Sequence, residues 1–258
     1  MDPHVIYLNH GSFGATPRPV FEEYQKWQRE LEYQPTLFLG RRAGDLLEQS
    51  REILAAFLGT ASQNLAYVTN ATTGLNIVAR SLALGPGDEV LATDHEYGAL
   101  DRTWKFLAQK QGFKYINHPI PLPVSTPDAF IETFWAGVTP QTRVIFLSHI
   151  TSPTALIFPI QEICRRAHNE GIITVIDGAH APGQIPLSLD QTGADFYSGN
   201  LHKWLCAPKG AAFLYARPDA ISRIEPLIVS WGYQSDHPSP SALVDYVEWQ
   251  GTRDISAF

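Results

Sequence analysis

Cysteine is scarce: Cys164 and Cys206 are the only two in 258 residues. They lie 42 positions apart, which makes neither a disulfide framework nor a zinc-knuckle spacing. A reducing cytoplasm is the expected setting. Basic charge is in the minority too. Nineteen Lys and Arg stand against 26 Asp and Glu, for a formal net charge of -7. The basic stripe of a nucleic-acid or anionic-membrane binder is missing, so neither is an expected partner. No apolar run reaches the ~18–20 residues a membrane-spanning helix needs. The N-terminal MDPHVIYLNHGSFG lacks the basic start and long apolar core of a signal peptide. Repeats and low-complexity tracts are absent. So are the GxxxxGK[ST] phosphate loop, a clean GxGxxG after a strand, and the HExxH metal helix.

What remains is an alternation. A chain of this length makes one large domain or two small ones. Helical patterns fall at 19–33, 45–58, 72–84, 99–111, 127–135 and 160–169. Strand-like runs fall at 65–68, 89–92, 113–116, 144–148, 172–176, 196–198 and 211–215. Residues 1–17 read as loop, broken by Gly11, Gly14 and Pro17. Mostly apolar strands alternating with helices predict an α/β fold. Its sheet is mainly parallel, with helices on both faces. Ligands in such sheets bind beyond the carboxyl ends of the strands.

Every predicted strand end carries polar groups. Thr72, Thr73 and Gly74 open a helix whose free N–H groups and dipole suit a phosphate, although Thr and Asn are ordinary N-cap residues as well. Asp177 follows the buried-type run Ile-Ile-Thr-Val-Ile. A carboxylate there partners a protonated ring nitrogen or a metal, or it caps the turn at Gly178. Lys203 sits in the apolar setting His-Lys-Trp-Leu-Cys-Ala-Pro. Burial would make its amine nucleophilic; a surface lysine is the plain alternative. His95 and His180 each follow a strand, where a lone histidine serves structure as readily as catalysis. Asp177, His180 and His202 are also conceivable metal ligands, but no compact ligand spacing accompanies them. Together, a phosphate-suited helix start, a strand-end Asp and a later Lys match the needs of pyridoxal 5′-phosphate (PLP). The Lys forms the Schiff base, the Asp keeps the pyridine nitrogen protonated, and the helix start holds the phosphate.

Eight segments carry a resemblance. They are YLNHGSFG at 7–14, NATTGLN at 70–76, DHEY at 94–97, SHITSPT at 148–154, VIDGAHAPG at 175–183, GNLHKWLCAPKG at 199–210, SWGY at 230–233 and GTRD at 251–254. In this order the chain resembles the class V aminotransferase family of fold-type I PLP enzymes, related to cysteine desulfurases. The isopenicillin N epimerase-like branch is the nearest likeness. Lys203 follows Asp177 by 26 residues, within the family's habit.

The resemblance implies a role for each matching residue. Lys203 is the Schiff-base lysine and the proton shuttle at the substrate's α carbon. Asp177 pairs with the pyridinium nitrogen, and His95 stacks on the ring. Ala71 and Thr72 hold the phosphate with the nearby backbone, and His202 lies close to it. Asn200 falls where desulfurases carry a phosphate-binding Ser, with Ser198 as the competing candidate. His180, at a position that is Gln in desulfurases, and Ser152 lie near the cofactor's 3′-oxygen. Thr252 reaches the phosphate of a neighbouring subunit, which implies a homodimer with shared sites. Asn9, His10 and Phe13, with Arg41 and Arg42, lie near the substrate entrance.

The implied reaction passes through an external aldimine and an α-carbanion on an amino-acid or amino-acid-derived substrate, as in epimerases and aminotransferases. Desulfurase or C–S lyase-type β-elimination shares that carbanion, and a non-catalytic PLP-binding fragment is the competitor of another class. The sequence ends at Phe258, just after GTRD. The family continues into a small C-terminal domain that carries a carboxylate-clamping Arg and, in desulfurases, the catalytic Cys. Neither Cys164 nor Cys206 matches that Cys. Residues 1–17 are therefore expected as an entrance segment and 18–258 as the large PLP-binding domain, with the small domain missing.

Overall fold

The structure, a computed structural model, describes residues 2 and 4–258. Met1 and Pro3, part of the predicted N-terminal loop, lie outside the described residues.

In chain order the elements are α1 (Arg18–Tyr33), α2 (Pro35–Leu37), α3 (Ala43–Leu58), β1 (Leu65–Val68), α4 (Ala71–Ser81), β2 (Glu89–Thr93), α5 (Gly98–Gln111), β3 (Lys114–His118), α6 (Pro127–Trp135), β4 (Thr142–Ser148), α7 (Ile160–Asn169), β5 (Ile173–Asp177), α8 (Leu189–Thr192), β6 (Phe196–Asn200), β7 (Ala212–Ala216) and α9 (Ala242–Glu248). A π-helical turn, Phe38–Arg42, joins α2 to α3. Side chains set the boundaries. Asn70 caps α4 by accepting the Thr73 N–H at 2.8 Å. Thr126 does the same for α6 through Ala129 N–H. Gly59 ends α3 in the left-handed region, as its place in the sequence predicts. Helix α4 stops three residues earlier than its pattern predicts, because Leu82 turns to extended backbone and is buried in the core.

The seven strands form one sheet in the order β1-β7-β6-β5-β4-β2-β3. Successive strand residues point to opposite faces, which separates two cores. Ile145, Leu147, Tyr197 and Phe213 pack with α3, α6 and α7. Val144, Phe146, Phe196 and Leu214 pack with α4, α5 and α9. The sheet is thus apolar on both faces and covered by helices on both, as expected for a mainly parallel sheet.

One strand departs from parallel pairing. β7 runs antiparallel to both β6 and β1. Two reversals restore direction, so β1 points the same way as β4, β5 and β6. The start of α4 therefore arrives at the same sheet edge as Ser148, Asp177 and Asn200. Periodicity misses this because β7 is as apolar as its parallel neighbours. It also misses α2, α8 and α9, which are short.

Candidate functional site

At that edge lies a cleft of about 170 Å³. Among its lining are Asn70, Ala71 and Thr72 at the start of α4, Asp177 at the end of β5, Asn200 at the end of β6, and Lys203. His180, His202, Ser152 and Phe13 line it too. Residues separated by up to about 190 positions meet because four strands and one helix end there together.

Asp177 is buried, and burial raises its carboxyl pKa from the usual value; the Ala179 N–H and the Lys203 charge act against that. Ala179 N–H donates to Oδ1 at 2.9 Å. The described residues offer Oδ2 no donor. Lys203 is half-buried and its pKa is lowered, by desolvation first, with Asp177 opposing. Its Nζ lies 3.1 Å from His180 Nε2. Burial, then the Lys203 charge, brings His180 down to about 4, so this imidazole is neutral near pH 7. Trp204 Nε1–H donates to His180 Nδ1 at 3.3 Å.

The helix start is arranged for an anion. Asn200 Oδ1 accepts the Ala71 N–H at 2.8 Å, and Asn70 accepts that of Thr73. The Thr72 N–H and hydroxyl have no partner among the described residues, at the positive end of an 11-residue helix. His202 donates from Nδ1 to the Ala211 carbonyl at 2.9 Å or accepts nothing there, so its Nε2 is the atom left for a ligand.

Two glycines let the backbone close on the site. Gly14 has φ +73°, and a Cβ there would fall 1.6 Å from the His202 carbonyl oxygen. This presses the N-terminal loop onto the turn that carries the lysine. A Cβ on Gly178 would fall 1.9 Å from Cε1 of the buried Tyr197. Gly178→Ala is expected to destabilise the protein by about 3 kcal/mol or more, because a packed ring cannot yield that far. A denaturant unfolding midpoint unchanged from wild type would refute this.

Some expected residues are placed elsewhere. Ser198 does not line the cleft: it is buried, its hydroxyl donates to the Phe213 carbonyl at 2.7 Å, and it packs against Gly74. Asn200 holds the position instead. Arg41 and Arg42 lie in the π-helical turn outside the cleft lining, with Arg42 paired to Glu30. Asn9 donates to Ser12 Oγ, and His10 Nδ1 accepts the Ala15 N–H; Phe13 is the one of the three lining the cleft. Thr252 lies in a separate groove of about 820 Å³ with Trp231 and Trp249. His95 is buried and absent from the cleft lining; its ring nitrogens lie 3.3 Å from Thr154 Oγ1 and 3.0 Å from the Ile120 carbonyl. Among the described residues no group of three or more His, Cys, Asp or Glu side chains is arranged to hold a metal ion.

Sequence reasoning gave no role to Tyr97 or Ser148, which line the cleft, or to Trp204 and Glu96. The clue for Glu96 was its place one residue past His95 at a strand end. Glu96 accepts from Thr93 Oγ1 at 2.6 Å and from the Ser148 N–H and hydroxyl at 2.9 and 2.6 Å. Burial still pushes it up to about 7. A carboxyl raised on folding stabilises fully below its unfolded pKa, and that contribution is lost as pH rises through 7. Glu96→Gln is expected to flatten the fall in unfolding free energy between pH 5 and 8, a difference of up to about 3 kcal/mol. Equal pH slopes for the two proteins would refute the assignment.

Comparison with known proteins accords with this geometry. The aminotransferase class-V family model matches residues 6–240. Isopenicillin N epimerase of Streptomyces clavuligerus is 40% identical over 99% of this chain and 67% of its own length. A putative L-cysteine desulfhydrase of Oryza sativa subsp. japonica is 32% identical over 99% of this chain and 56% of its own. Among solved structures, the cystine C–S lyase C-DES, in complex with its reaction product cysteine persulfide, superposes with a TM-score of 0.81 at 27% identity, covering 93% of this chain and 69% of that one. The chain belongs to the class-V aminotransferase family.

Proposed function

We propose that this protein is a PLP-dependent enzyme that acts at the α carbon of an amino acid or an amino-acid-derived substrate. The observation that carries the reading is the meeting, in one cleft, of a lysine whose pKa is lowered by burial, a buried carboxylate with one oxygen lacking a donor, and a helix start with a free Thr72 N–H. These donors and acceptors fit the cofactor's aldehyde, ring nitrogen and phosphate. When bound, PLP supplies an electron sink for charge at the α carbon.

The chain's own groups do the rest. Lys203 would hold the cofactor through its amine, and that amine would carry a proton to or from the α carbon. Asp177 keeps a proton on the ring nitrogen; burial without a donor to Oδ2 makes its carboxylate a strong acceptor. Thr72, Ala71 and Asn200 order the helix start toward the phosphate, with His202 beside it. His180 and Ser152 line the same cleft, where they would lie near the cofactor's 3′-oxygen. His95, its ring fixed by in-plane contacts, is read as the stacking residue. Phe13 lines the cleft, and Asn9 and His10 of the same N-terminal loop are read with it as entrance residues, with 18–258 as the cofactor domain.

The 40% identity to an epimerase favours racemising chemistry, and the desulfhydrase and C–S lyase relatives make β-elimination the second reading. A homodimer is part of the proposal. Trp231 is 86% exposed, and Val229 and Trp249 are exposed with it, next to the groove that holds Thr252. Exposed aromatic surface of this kind marks an interface. The test of the function is titration of the purified protein with PLP: a visible absorption band should grow to one equivalent per chain. Incubation with single amino acids then separates loss of optical activity from release of a keto acid. Intact protein that raises no band would end the reading.

A further inference from the structure

The contacts of His180 define more than its position. Indole N–H is a donor only. Trp204 Nε1, 3.3 Å from His180 Nδ1, therefore needs a bare lone pair on Nδ1. A neutral imidazole that is bare on Nδ1 carries its hydrogen on Nε2, the atom 3.1 Å from Lys203 Nζ. The opposite tautomer would set two N–H groups against each other at Trp204. An ammonium at Lys203 has no lone pair, so it would set two donors against each other on the other side. Only the free amine accepts from Nε2–H.

We propose that Trp204 is a positioning residue that locks His180 in the Nε2–H tautomer, so that the imidazole donates to the Lys203 amine and holds it as the free base. Residues next to each other in sequence thus act on one another through a third, 23 positions upstream of the lysine. Gly11 seals the arrangement: a Cβ there would lie 3.1 Å from Trp204 Cζ2 and 3.2 Å from His180 Cε1. The titratable groups that face the amine are few. Asp177 is the last residue of β5 and His180 follows in the loop beyond it, Tyr97 precedes α5, and His202 is in the lysine's own turn. Asp177 favours the ammonium, and the locked imidazole opposes it. The tautomer stands on the geometry of the chain alone; its importance for the amine rests on the reading of Lys203 as the cofactor lysine.

Trp204→Phe keeps an aromatic ring and removes the N–H. Long-range ¹H–¹⁵N correlation on the histidine-labelled protein without cofactor reads the tautomer directly. Wild type should show His180 bare on Nδ1 and protonated on Nε2, and Trp204→Phe should shift toward a mixture. A wild-type proton on Nδ1, or a pattern unchanged in the variant, overturns the proposal. The amine is read by the pH dependence of C=N formation with pyridoxal, an aldehyde without the phosphate. In Trp204→Phe the midpoint should move up by about one pH unit, a tenfold loss of reactive amine below it. The shift should vanish when His180→Ala is already present; a shift that persists there also overturns the proposal. If pyridoxal fails to react at Lys203 at all, the PLP reading falls, while the tautomer pattern still decides the role of Trp204.

Discussion

Lys203→Ala should abolish the visible band that PLP raises in the wild-type protein and lower amino-acid turnover by about 10³-fold or more. Among the described residues the side chain is the one amine lining the cleft, so no described neighbour can form the covalent link to the aldehyde. The fold should persist. The amine is half-buried, its charge is disfavoured by burial, and its hydrogen bond is to an imidazole that the entrance can hydrate. A melting temperature close to wild type, recorded beside the spectrum, separates lost chemistry from lost structure. A band of wild-type size in the variant would sink the assignment of Lys203. An amino-acid turnover indifferent to the variant would sink that assignment as well. A wild-type band without any turnover would favour a binding fragment.

Asp177→Asn should split the two properties that Lys203→Ala removes together. The amide keeps an oxygen for the Ala179 N–H and differs little in shape from the carboxyl. Lys203 and the helix start are intact, so the band should still form. Turnover should fall by about 10²-fold or more, because a neutral amide cannot keep a proton on the ring nitrogen. Stability should move the other way. Burial raises the folded pKa of Asp177, so its contribution to stability is greatest at low pH and is lost as pH rises through that value. At neutral pH, without cofactor, the Asn variant should therefore melt no lower than wild type. Turnover within tenfold of wild type would show that Asp177 is not the partner of the ring nitrogen.

Strand ends were the legible part of this sequence. Ile-Ile-Thr-Val-Ile before Asp177, and the capping chemistry of Asn70 to Thr73, are local signals that the structure keeps. The Lys203 segment was legible through its apolar neighbours. Ser198 was misleading because it shares a face of β6 with Asn200 but lies two residues deeper, under Gly74 of α4, while Asn200, the strand's last residue, reaches the cleft. The antiparallel setting of β7 was invisible, since burial on both faces erases the pattern that separates the two pairings. Trp204 was missed for a different reason. Its partner is a side chain from another strand's loop, and no spacing along the chain announces a contact of that kind.

The place of β7 also orders events during synthesis. β1 has no neighbour in the sheet except β7, and β7 reaches the sheet through β6. When β1 leaves the ribosome, the edge it needs has not been made. The strands from β2 to β6 can assemble meanwhile, each against a partner already present or next to emerge. Only after residue 216 can β1 dock, and with it the start of α4. The α4 end of the cleft thus waits for β7, although Asn70 to Thr73 are translated well before it. Nascent chains stalled before β7 should hold β1 exposed as an unpaired edge, which is when this protein is most open to chaperones and to misassociation.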